Sequence, residues 1–219
     1  MKLFDLSGKV ALVTGGNGGI GKGCARALAE CGAAIAIAAR NEEKTAKACA
    51  ELRRDFGVQA ESFVVDLHYE DQIRAMVAKA IETFGRLDIL VNNAGMNIRK
   101  LPQEYRWEEF EEVLTVNLKA AFICSQAVYP AMKAAGGGKI ICIGSLTSIL
   151  AGVKMGAYGT SKGGLMQMAK ALAVAWAPDN IQVNTILPGW IETDLTTGAR
   201  RDMPGLDERV LARSPAGRG

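Results

Sequence analysis

The sequence is poor in the residues that build metal sites, disulfide frameworks and membrane spans. It has one histidine, His68, and five cysteines at positions 24, 31, 49, 124 and 142, whose spacing matches neither a zinc ligand set nor a disulfide framework. No apolar run is long enough to span a bilayer, and Met1 leads into a polar stretch rather than an apolar leader. We therefore expect no metal, no membrane partner and a cytoplasmic location.

An excess of charge of one sign is also absent. Lysine and arginine total 26 against 23 acidic residues, a formal net charge of +3, and no basic run is long enough to follow a phosphate backbone. Nucleic acid is therefore not an expected partner. Hydrophobic residues, in contrast, make up 49% of the 219 residues, which is enough to bury a core. We expect a single domain over residues 1–219.

Short apolar runs rich in valine and isoleucine recur along the chain, with helix-length segments between them. This alternation indicates a parallel sheet, because parallel neighbours need a crossover and right-handed crossovers place helices on both faces. The sequence thus predicts an α/β fold with a doubly wound parallel sheet. The predicted strands are residues 9–14, 34–39, 58–65, 87–91, 139–143 and 181–186. No sheet-like run returns after Pro188, and we interpret residues 188–213 as a mobile flap over the substrate.

A glycine-rich segment, residues 14–21, directly follows the first predicted strand and precedes a helical pattern. Glycines bring backbone N–H groups close to a pyrophosphate, whose charge is favoured at a helix N-terminus. In this position the pattern is typical of a dinucleotide site. The spacing from Gly16 to Lys22 also approaches a P-loop, but Gly23 lacks the hydroxyl that would hold magnesium. A nucleotide triphosphatase stays open as an alternative.

The end of the second predicted strand indicates which dinucleotide is bound. Enzymes of this architecture that use NAD usually place an acidic residue there for the ribose 2′-hydroxyl, whereas this chain has Ala39 followed by Arg40. A guanidinium suits a 2′-phosphate, because it can form charge-assisted hydrogen bonds with it. We expect NADP as the preferred cofactor and NAD as the second candidate. A solvated Arg40 at a helix start is the alternative.

Four polar residues indicate the chemistry. Tyr158 and Lys162 stand four residues apart at the start of a helical segment and share one face. A nearby ammonium stabilises a phenolate and lowers the tyrosine pKa toward that of a general acid or base. Ser145 follows the fifth predicted strand, at the edge where such sheets form their crevice. Asn117 lies in an apolar helical stretch, where its amide needs a polar partner. An ordinary surface pair of Tyr158 and Lys162 is the alternative.

Together these motifs resemble those of the short-chain dehydrogenase/reductase family, over nearly the whole chain. Residues 14–21 resemble the family's cofactor turn, Asp66 its adenine contact, residues 92–95 its structural corner, and Tyr158 with Lys162 its active-site motif. The resemblance implies a Rossmann fold. It also implies an NAD(P)-dependent oxidoreductase that interconverts a ketone and a secondary alcohol.

By this resemblance, Tyr158 protonates the carbonyl oxygen or takes the alcohol proton, and Ser145 holds the same oxygen by a hydrogen bond. Lys162 lowers the tyrosine pKa and binds the nicotinamide ribose, while Asn117 holds a water that connects Lys162 to solvent. The cofactor supplies the hydride chemistry and the protein its orientation. The residues expected to bind the cofactor are Gly15, Asn17, Gly18, Gly19, Ile20, Gly21, Arg40, Asn41, Asp66, Leu67, Asn93, Ala94, Gly95, Tyr158, Lys162, Pro188, Gly189, Ile191 and Thr193.

The family pattern continues past residue 219 with a further helix and a seventh strand, so six of the usual seven strands are expected here. In the family that part lines the substrate pocket and builds one subunit interface. A truncated domain that binds cofactor but is catalytically impaired is therefore a second interpretation.

Residues 93–100 resemble family members of the gluconate 5-dehydrogenase and 2-deoxy-D-gluconate 3-dehydrogenase type, which act on sugars and sugar acids. Arg99 lies just beyond the fourth predicted strand, where its guanidinium can pair with a substrate carboxylate through two hydrogen bonds. A solvated loop arginine is the alternative. The residues expected to contact substrate are Arg99, Ser145 and Tyr158.

Two helical segments carry more apolar side chains than one sheet can bury. In residues 112–132 and 158–176 the apolar positions surround the helix rather than form one stripe. An exposed apolar patch of this extent usually marks an interface. The resemblance also implies that these two helices pair with their twofold copies. We predict a symmetric homodimer, whose mass light scattering coupled to gel filtration would measure.

Overall fold

The valine- and isoleucine-rich runs form the strands of one parallel sheet. The computed structural model describes residues 3–203 and 205–217, apart from the side chains of Asp194, Leu195 and Asp202. Within these residues the strands are β1 Val10–Thr14, β2 Ala34–Ala39, β3 Ala60–Val64, β4 Ile89–Asn92, β5 Gly138–Ile143 and β6 Ile181–Ile186. Their order is β3-β2-β1-β4-β5-β6, and every neighbouring pair is parallel. The predicted fold class and its six strands are confirmed.

The apolar content of each strand follows its place in the sheet. All residues of β1 and β4 are buried, which explains why these strands have almost no polar positions. The edge strand β3 instead alternates between more and less buried residues, because one of its faces meets solvent. The chain order reverses between β1 and β4. This is the switch point at which doubly wound sheets open a crevice at the carboxyl ends of their strands.

Helices cover both faces of the sheet. They are α1 Gly19–Glu30, α2 Glu42–Phe56, α3 Glu70–Phe84, α4 Trp107–Leu114, α5 Ala120–Ala134 and α6 Gly156–Trp176. The α1 and α2 helices share one apolar core with the sheet, and α3, α5 and α6 share the other. Both α2 and α3 end at a glycine in the left-handed conformation, Gly57 and Gly85, which closes the helix without steric strain.

The link between α4 and α5 corrects one expectation from the sequence. The apolar pattern predicts a regular helix over residues 112–132, whereas the helix begins at Trp107 and Thr115–Lys119 form a π-helical segment within it. A π-helical segment widens the turn locally, and such segments often occur at functional sites. The apolar positions do not reveal it, because they surround the helix and therefore fix no register.

The chain after β6 is helical. The helices are α7 Asp194–Asp202 and α8 Leu206–Arg213, and Thr193 caps α7 by accepting a hydrogen bond from the Thr196 amide at 3.3 Å. Ala199 and Leu206 are buried. The role of residues 188–213 as a flap stays a prediction, and Pro204 within it lies outside the described residues.

An open apolar groove runs along α4, α5 and α6. It is lined by Trp107, Phe110, Glu111, Leu114, Thr115, Leu118, Lys119, Phe122 and Met168. Trp107 is 66% exposed and Phe122 is 40% exposed. These helices therefore present an apolar surface where the sequence predicts a contact between two copies. The homodimer itself stays a prediction.

The five cysteines are free thiols. Cys49, Cys124 and Cys142 are buried, and Cys24 and Cys31 are partly buried. Over residues 3–203 and 205–217, no group of three histidine, cysteine or acidic side chains is arranged to hold a metal. Over the same ranges, no helix is both long enough and apolar enough to cross a membrane.

Candidate active site

The glycine-rich turn between β1 and α1 forms a bed for an anion. Gly15 and Gly19 have φ angles of +64° and +49°, which residues with a side chain rarely adopt. Gly18 is the N-cap of α1, and the first turn of this helix contains no acidic residue. The N-terminal N–H groups of α1 therefore meet no capping side chain, and the positive end of the helix faces this turn. The turn fits a dinucleotide pyrophosphate.

Gly21 lets α1 start against the end of β4. A Cβ atom at this position would overlap both the amide nitrogen of Asn93 and the carbonyl oxygen of Gly15. The glycine is therefore required by close packing rather than by its backbone angles. Ile20, next to it, packs against the core on the α1 side of the sheet.

Thr14 and Asn93 fasten the glycine turn to β4. The Asn93 amide group donates to the carbonyls of Thr14 and Gly15 at 2.9 and 3.2 Å. The buried Thr14 hydroxyl accepts from the backbone N–H groups of Asn93 and Ala94 at 3.0 and 3.1 Å. We call this set of bonds the Thr14–Asn93 latch. It brings Gly15, Gly21, Asn93 and Ala94, all expected to bind the cofactor, into one place.

The residues expected to bind the adenosine half follow β2 and β3. Arg40 is exposed beyond β2, and Asp66 follows β3 beside the buried Leu67. The Asp66 Oδ1 atom lies 2.6 Å from His68 Nδ1 and accepts from the His68 amide at 3.1 Å. The bond to the His68 ring lowers the pKa of Asp66, and the positive charge of Arg40 acts in the same direction. Sequence reasoning missed the contact with His68; only the two-residue spacing could have suggested it.

Ser145 and Tyr158 meet beyond the carboxyl end of β5. Ser145 begins a short 3₁₀ turn and Tyr158 lies in the first turn of α6. Burial raises the pKa of the Tyr158 phenol, while its hydrogen bond with Ser145 and the charge of Arg99 oppose this shift. The phenol is therefore protonated at neutral pH and can donate a proton to an oxygen beside it.

The Lys162 ammonium contacts the carboxyl end of β5. Its ammonium is buried and donates to the carbonyl oxygen of Ile143 at 2.7 Å. Burial lowers the pKa of Lys162 to about 8. The ammonium lies 5.8 Å from the centre of the Tyr158 ring and is not among the groups that lower the Tyr158 pKa. The effect of Lys162 on the Tyr158 pKa and its contact with the nicotinamide ribose stay predictions.

Asn117 occupies the π-helical segment and is fully buried. Its Oδ1 accepts from the Met96 amide at 2.8 Å, and its Nδ2 donates to the Met96 carbonyl and to the Ser161 hydroxyl, each at 2.9 Å. These are the polar partners that an amide in an apolar helix requires. A Cβ atom on Gly95 would lie 3.2 Å from Asn117 Oδ1 and 3.4 Å from Lys162 Nζ, so the three residues converge. The expected water on Asn117 stays a prediction.

Residues 188–193 close the site from the β6 side. The Pro188 carbonyl accepts from the Leu146 amide at 3.1 Å, next to Ser145. The Thr193 methyl group lies 3.1 Å from the position of a Cβ atom on Gly19, so this strip touches the glycine turn. Gly189 also faces Leu146, and Ile191 is half exposed. The structure thus brings together residues expected to hold the nicotinamide and residues expected to hold the pyrophosphate.

Arg99 lies between Tyr158 and α7. Its charge acts on the Tyr158 phenol, and its Nη1 atom is 4.0 Å from the position of a Cβ atom on Gly198. The guanidinium thus lies near Gly198 of α7 and within electrostatic range of the Tyr158 phenol. Its expected contact with a substrate carboxylate stays a prediction.

The position of Lys22 argues against a triphosphatase. Its ammonium pairs with the Glu51 carboxylate of α2 at 2.5 Å, on the outside of α1. A P-loop lysine must instead reach back over the glycine turn to the phosphates. The P-loop spacing in the sequence is therefore coincidental.

Comparison with known proteins gives one consistent result. The family model for short chain dehydrogenase matches residues 9–204. A 2-dehydro-3-deoxy-D-gluconate 5-dehydrogenase of Escherichia coli is 39% identical over 220 residues, which cover 100% of this chain and 85% of that protein. A tropinone reductase homolog of Arabidopsis thaliana is 37% identical over 218 residues, which cover 99% of this chain and 82% of that protein.

A solved structure agrees with this match. The gluconate 5-dehydrogenase of Burkholderia cenocepacia, in complex with NADP and tartrate, superposes with a TM-score of 0.92 at 40% sequence identity. The superposition covers 98% of this chain and 84% of that one. The similarity therefore extends over the glycine turn, the Thr14–Asn93 latch and the Ser145–Tyr158 pair.

Proposed function

The chain belongs to the short-chain dehydrogenase family and is an oxidoreductase, and we propose that it interconverts a ketone and a secondary alcohol with NADP. The observation that carries this proposal is the interaction of the Ser145 hydroxyl with the partly buried Tyr158 phenol beyond the carboxyl end of β5. A proton donor and a second hydroxyl at one point can hold a single substrate oxygen between them.

In the proposed reaction, Ser145 donates a hydrogen bond to the carbonyl oxygen and Tyr158 gives it a proton. When bound, NADPH supplies the hydride that reaches the carbonyl carbon. Lys162 holds a buried positive charge near the phenolate that forms, which favours it electrostatically. Asn117 holds the Met96 backbone by hydrogen bonds and thereby fixes the position of the chain next to Lys162. In alcohol oxidation, Tyr158 accepts the proton instead.

The assay for this activity follows NADPH absorbance with a panel of ketones that includes keto sugar acids. We expect oxidation of NADPH with at least one of them. Binding of NADPH without turnover of any ketone would instead favour the interpretation as a cofactor-binding but catalytically impaired domain. ATP hydrolysis, with neither NADPH oxidation nor NADPH binding, would instead support the interpretation as a nucleotide triphosphatase.

The cofactor proposal includes a preference for NADP. It is supported by Arg40 in place of an acid and by relatives solved with NADP bound. We expect NADPH to bind more tightly than NADH. The Arg40→Ala change should reduce the difference between their binding free energies by about 1.5–3 kcal/mol, because a charge-assisted contact with the phosphate is lost. Fluorescence titration of both cofactors measures this. Equal dissociation constants in the unmutated protein would refute the preference.

The proposed substrate class is a sugar or sugar acid, with Arg99 binding its carboxylate. The names of the gluconate-type relatives and the place of Arg99 beside Tyr158 support it. We expect Arg99→Ala to raise KM for a sugar acid about tenfold or more, the usual loss of a charged hydrogen bond, with little change for a neutral polyol.

The matched control for Arg99 is Lys100→Ala, which removes the neighbouring charge. Lys100 is already paired with Glu109 at 2.6 and 2.8 Å, so its loss should leave both KM values nearly unchanged. A similar rise in KM for the acid and the polyol in Arg99→Ala would contradict the assignment.

The proposal extends to the parts around the site. Residues 188–213 act as the flap that covers the substrate, and the whole chain acts as one dinucleotide-binding oxidoreductase domain. The groove of α4, α5 and α6 forms the contact of a symmetric homodimer, supported by the exposure of Trp107 and Phe122.

A further inference from the structure

Ser148 joins the backbone on the two sides of the candidate active site. Its Oγ atom accepts a hydrogen bond from the Ser145 amide at 3.3 Å and donates one to the Lys162 carbonyl oxygen at 2.9 Å. Ser145 follows β5, whereas Lys162 lies in α6, one helical turn after Tyr158. A single hydroxyl therefore connects the turn that carries Ser145 with the helix that carries the phenol.

A second hydrogen bond joins the same two elements. The Lys162 ammonium donates to the carbonyl oxygen of Ile143, which lies two residues before Ser145, at 2.7 Å. Lys162 is thus bound at both ends, through its side chain to the last residue of β5 and through its carbonyl to Ser148. The ammonium fixes α6 against the strand, and Ser148 fixes α6 against the turn that follows the strand.

The contact between this turn and α6 has little side-chain packing of its own. A Cβ atom on Gly159 would lie 3.6 Å from the Thr147 carbonyl oxygen, and one on Gly163 would lie 3.6 Å from the Ser148 carbonyl oxygen. The two glycines are four residues apart and therefore share one face of the helix. At these positions no side chain of α6 interlocks with the turn, so a directional hydrogen bond is needed to set its place along the helix.

Ser145 and Ser148 also cap the turn reciprocally. The Ser145 hydroxyl oxygen accepts from the Thr147 amide at 3.1 Å, while the Ser148 hydroxyl oxygen accepts from the Ser145 amide. The bond from Thr147 uses a lone pair of the Ser145 oxygen and leaves its hydrogen for another acceptor. Both the backbone and the hydroxyl of Ser145 are therefore held by this turn.

We propose that Ser148 is a positioning residue, which holds the Ser145 hydroxyl beside the Tyr158 phenol and thereby aligns the two groups on one substrate oxygen. The inference rests on the proposed function, in which both hydroxyls bind that oxygen. Ser148 itself acts only through Ser145. Sequence reasoning identified Ser145 and Tyr158 and missed Ser148. The signal that could have found it is a serine three residues after the serine that caps the turn.

The first test measures the ionisation of Tyr158 without turnover. The interaction with Ser145 lowers the pKa of the Tyr158 phenol, so a displaced Ser145 should raise it. For Ser148→Ala we expect this pKa to rise by about 0.5–1 unit, the equivalent of one neutral hydrogen bond. Tyrosinate absorbance is titrated in each protein and in its Tyr158→Phe version, and the difference isolates Tyr158. The substitution keeps the charges of Arg99 and Lys162, which also lie near the phenol.

The second test is kinetic and uses a ketone that the unmutated protein reduces. Ser148→Ala should lower kcat about 10- to 100-fold, the cost of misplacing a reacting group by about 1 Å, and leave the dissociation constant for NADPH nearly unchanged. In a Ser145→Ala background the same change should lower kcat by less than about twofold, because the residue through which Ser148 acts is gone. A purely structural role would give equal losses in both backgrounds.

Thr147→Val is the matched control. It removes a hydroxyl from the neighbouring residue of the same turn, and within the described part of the chain the buried Thr147 Oγ1 atom has no hydrogen-bond partner. The Thr147 amide, which donates to Ser145, is kept. We expect no change in the pKa of Tyr158 or in kcat.

An unchanged Tyr158 pKa or an unchanged kcat in Ser148→Ala would overturn the inference, as would equal losses of kcat with and without the Ser145 hydroxyl. These results leave the proposed function intact. A protein that reduces no ketone would overturn the proposed function instead, and the tyrosinate titration would still decide whether Ser148 positions the Ser145 hydroxyl.

Discussion

Replacing Tyr158 with phenylalanine should lower kcat by about 10³-fold while leaving the dissociation constant for NADPH nearly unchanged. The change removes one hydroxyl, which is the proposed proton donor, and keeps the buried ring. Because burial raises the pKa of this phenol, it is protonated at neutral pH and suited to reducing a carbonyl. Steady-state kinetics with the best ketone of the panel, and NADPH titration, measure the two quantities.

The pH dependence of kcat should also follow the ionisation of Tyr158. Alcohol oxidation needs the phenolate, so its kcat should rise with pH until Tyr158 is deprotonated, whereas carbonyl reduction should fall over the same range. Tyr69→Phe is the matched control, since it removes a hydroxyl from a tyrosine that is 55% exposed and lies at the start of α3. A Tyr158→Phe protein that retained a tenth or more of the kcat would exclude the proton-transfer scheme.

Replacing Gly21 with alanine should destabilise the protein by about 3 kcal/mol, the upper range for overpacking of a close-packed site. The added Cβ atom would overlap the Asn93 amide and the carbonyl oxygen of Gly15. The Asn93 side chain can shift only by breaking the Thr14–Asn93 latch, and the carbonyl belongs to the turn itself. We therefore expect NADPH affinity to fall as well. Urea denaturation and cofactor titration measure both effects.

Gly23→Ala provides the control in the same helix. Gly23 is exposed, and no heavy atom lies within 4 Å of the position for its Cβ. Alanine is a better helix former, so this change should stabilise the protein by about 0.5–1 kcal/mol. If Gly21→Ala were as stable as Gly23→Ala, the close contact between α1 and the end of β4 would be wrong.

Sequence reasoning located best the strands that are apolar along their whole length. The β1 and β2 runs are buried on both faces, so a short, continuously apolar segment identifies them and their ends to within a residue. The place of Ser145 beyond the carboxyl end of β5 also followed from the sequence, because the carboxyl ends of parallel strands share one edge.

Sequence reasoning did not identify the hydrogen-bond partner of a side chain that has several polar groups within reach in the folded protein. Lys162 has a carbonyl oxygen of β5 within reach, and the sequence does not show that its ammonium donates a hydrogen bond to it. His68 looks like an ordinary loop residue until the turn after β3 folds its ring onto Asp66. The sequence did not indicate the π-helical segment, for a different reason. This segment changes the register of one helical turn without changing the amino-acid composition.

The strand order also places the residues proposed to select the cofactor and those proposed to act on the substrate in different parts of the chain. Arg40 and Asp66, which we propose to contact the cofactor, follow strands of the β1-β2-β3 half of the sheet, whereas Ser145 and Tyr158, the proposed catalytic pair, follow strands of the β4-β5-β6 half. Near the site the halves join at the β1–β4 pair, through the Thr14–Asn93 latch. The proposed cofactor preference and the proposed substrate selectivity therefore depend on different halves of the sheet. We expect substitutions before residue 70 to change the cofactor preference without changing the substrate selectivity, provided that the Thr14–Asn93 latch is kept.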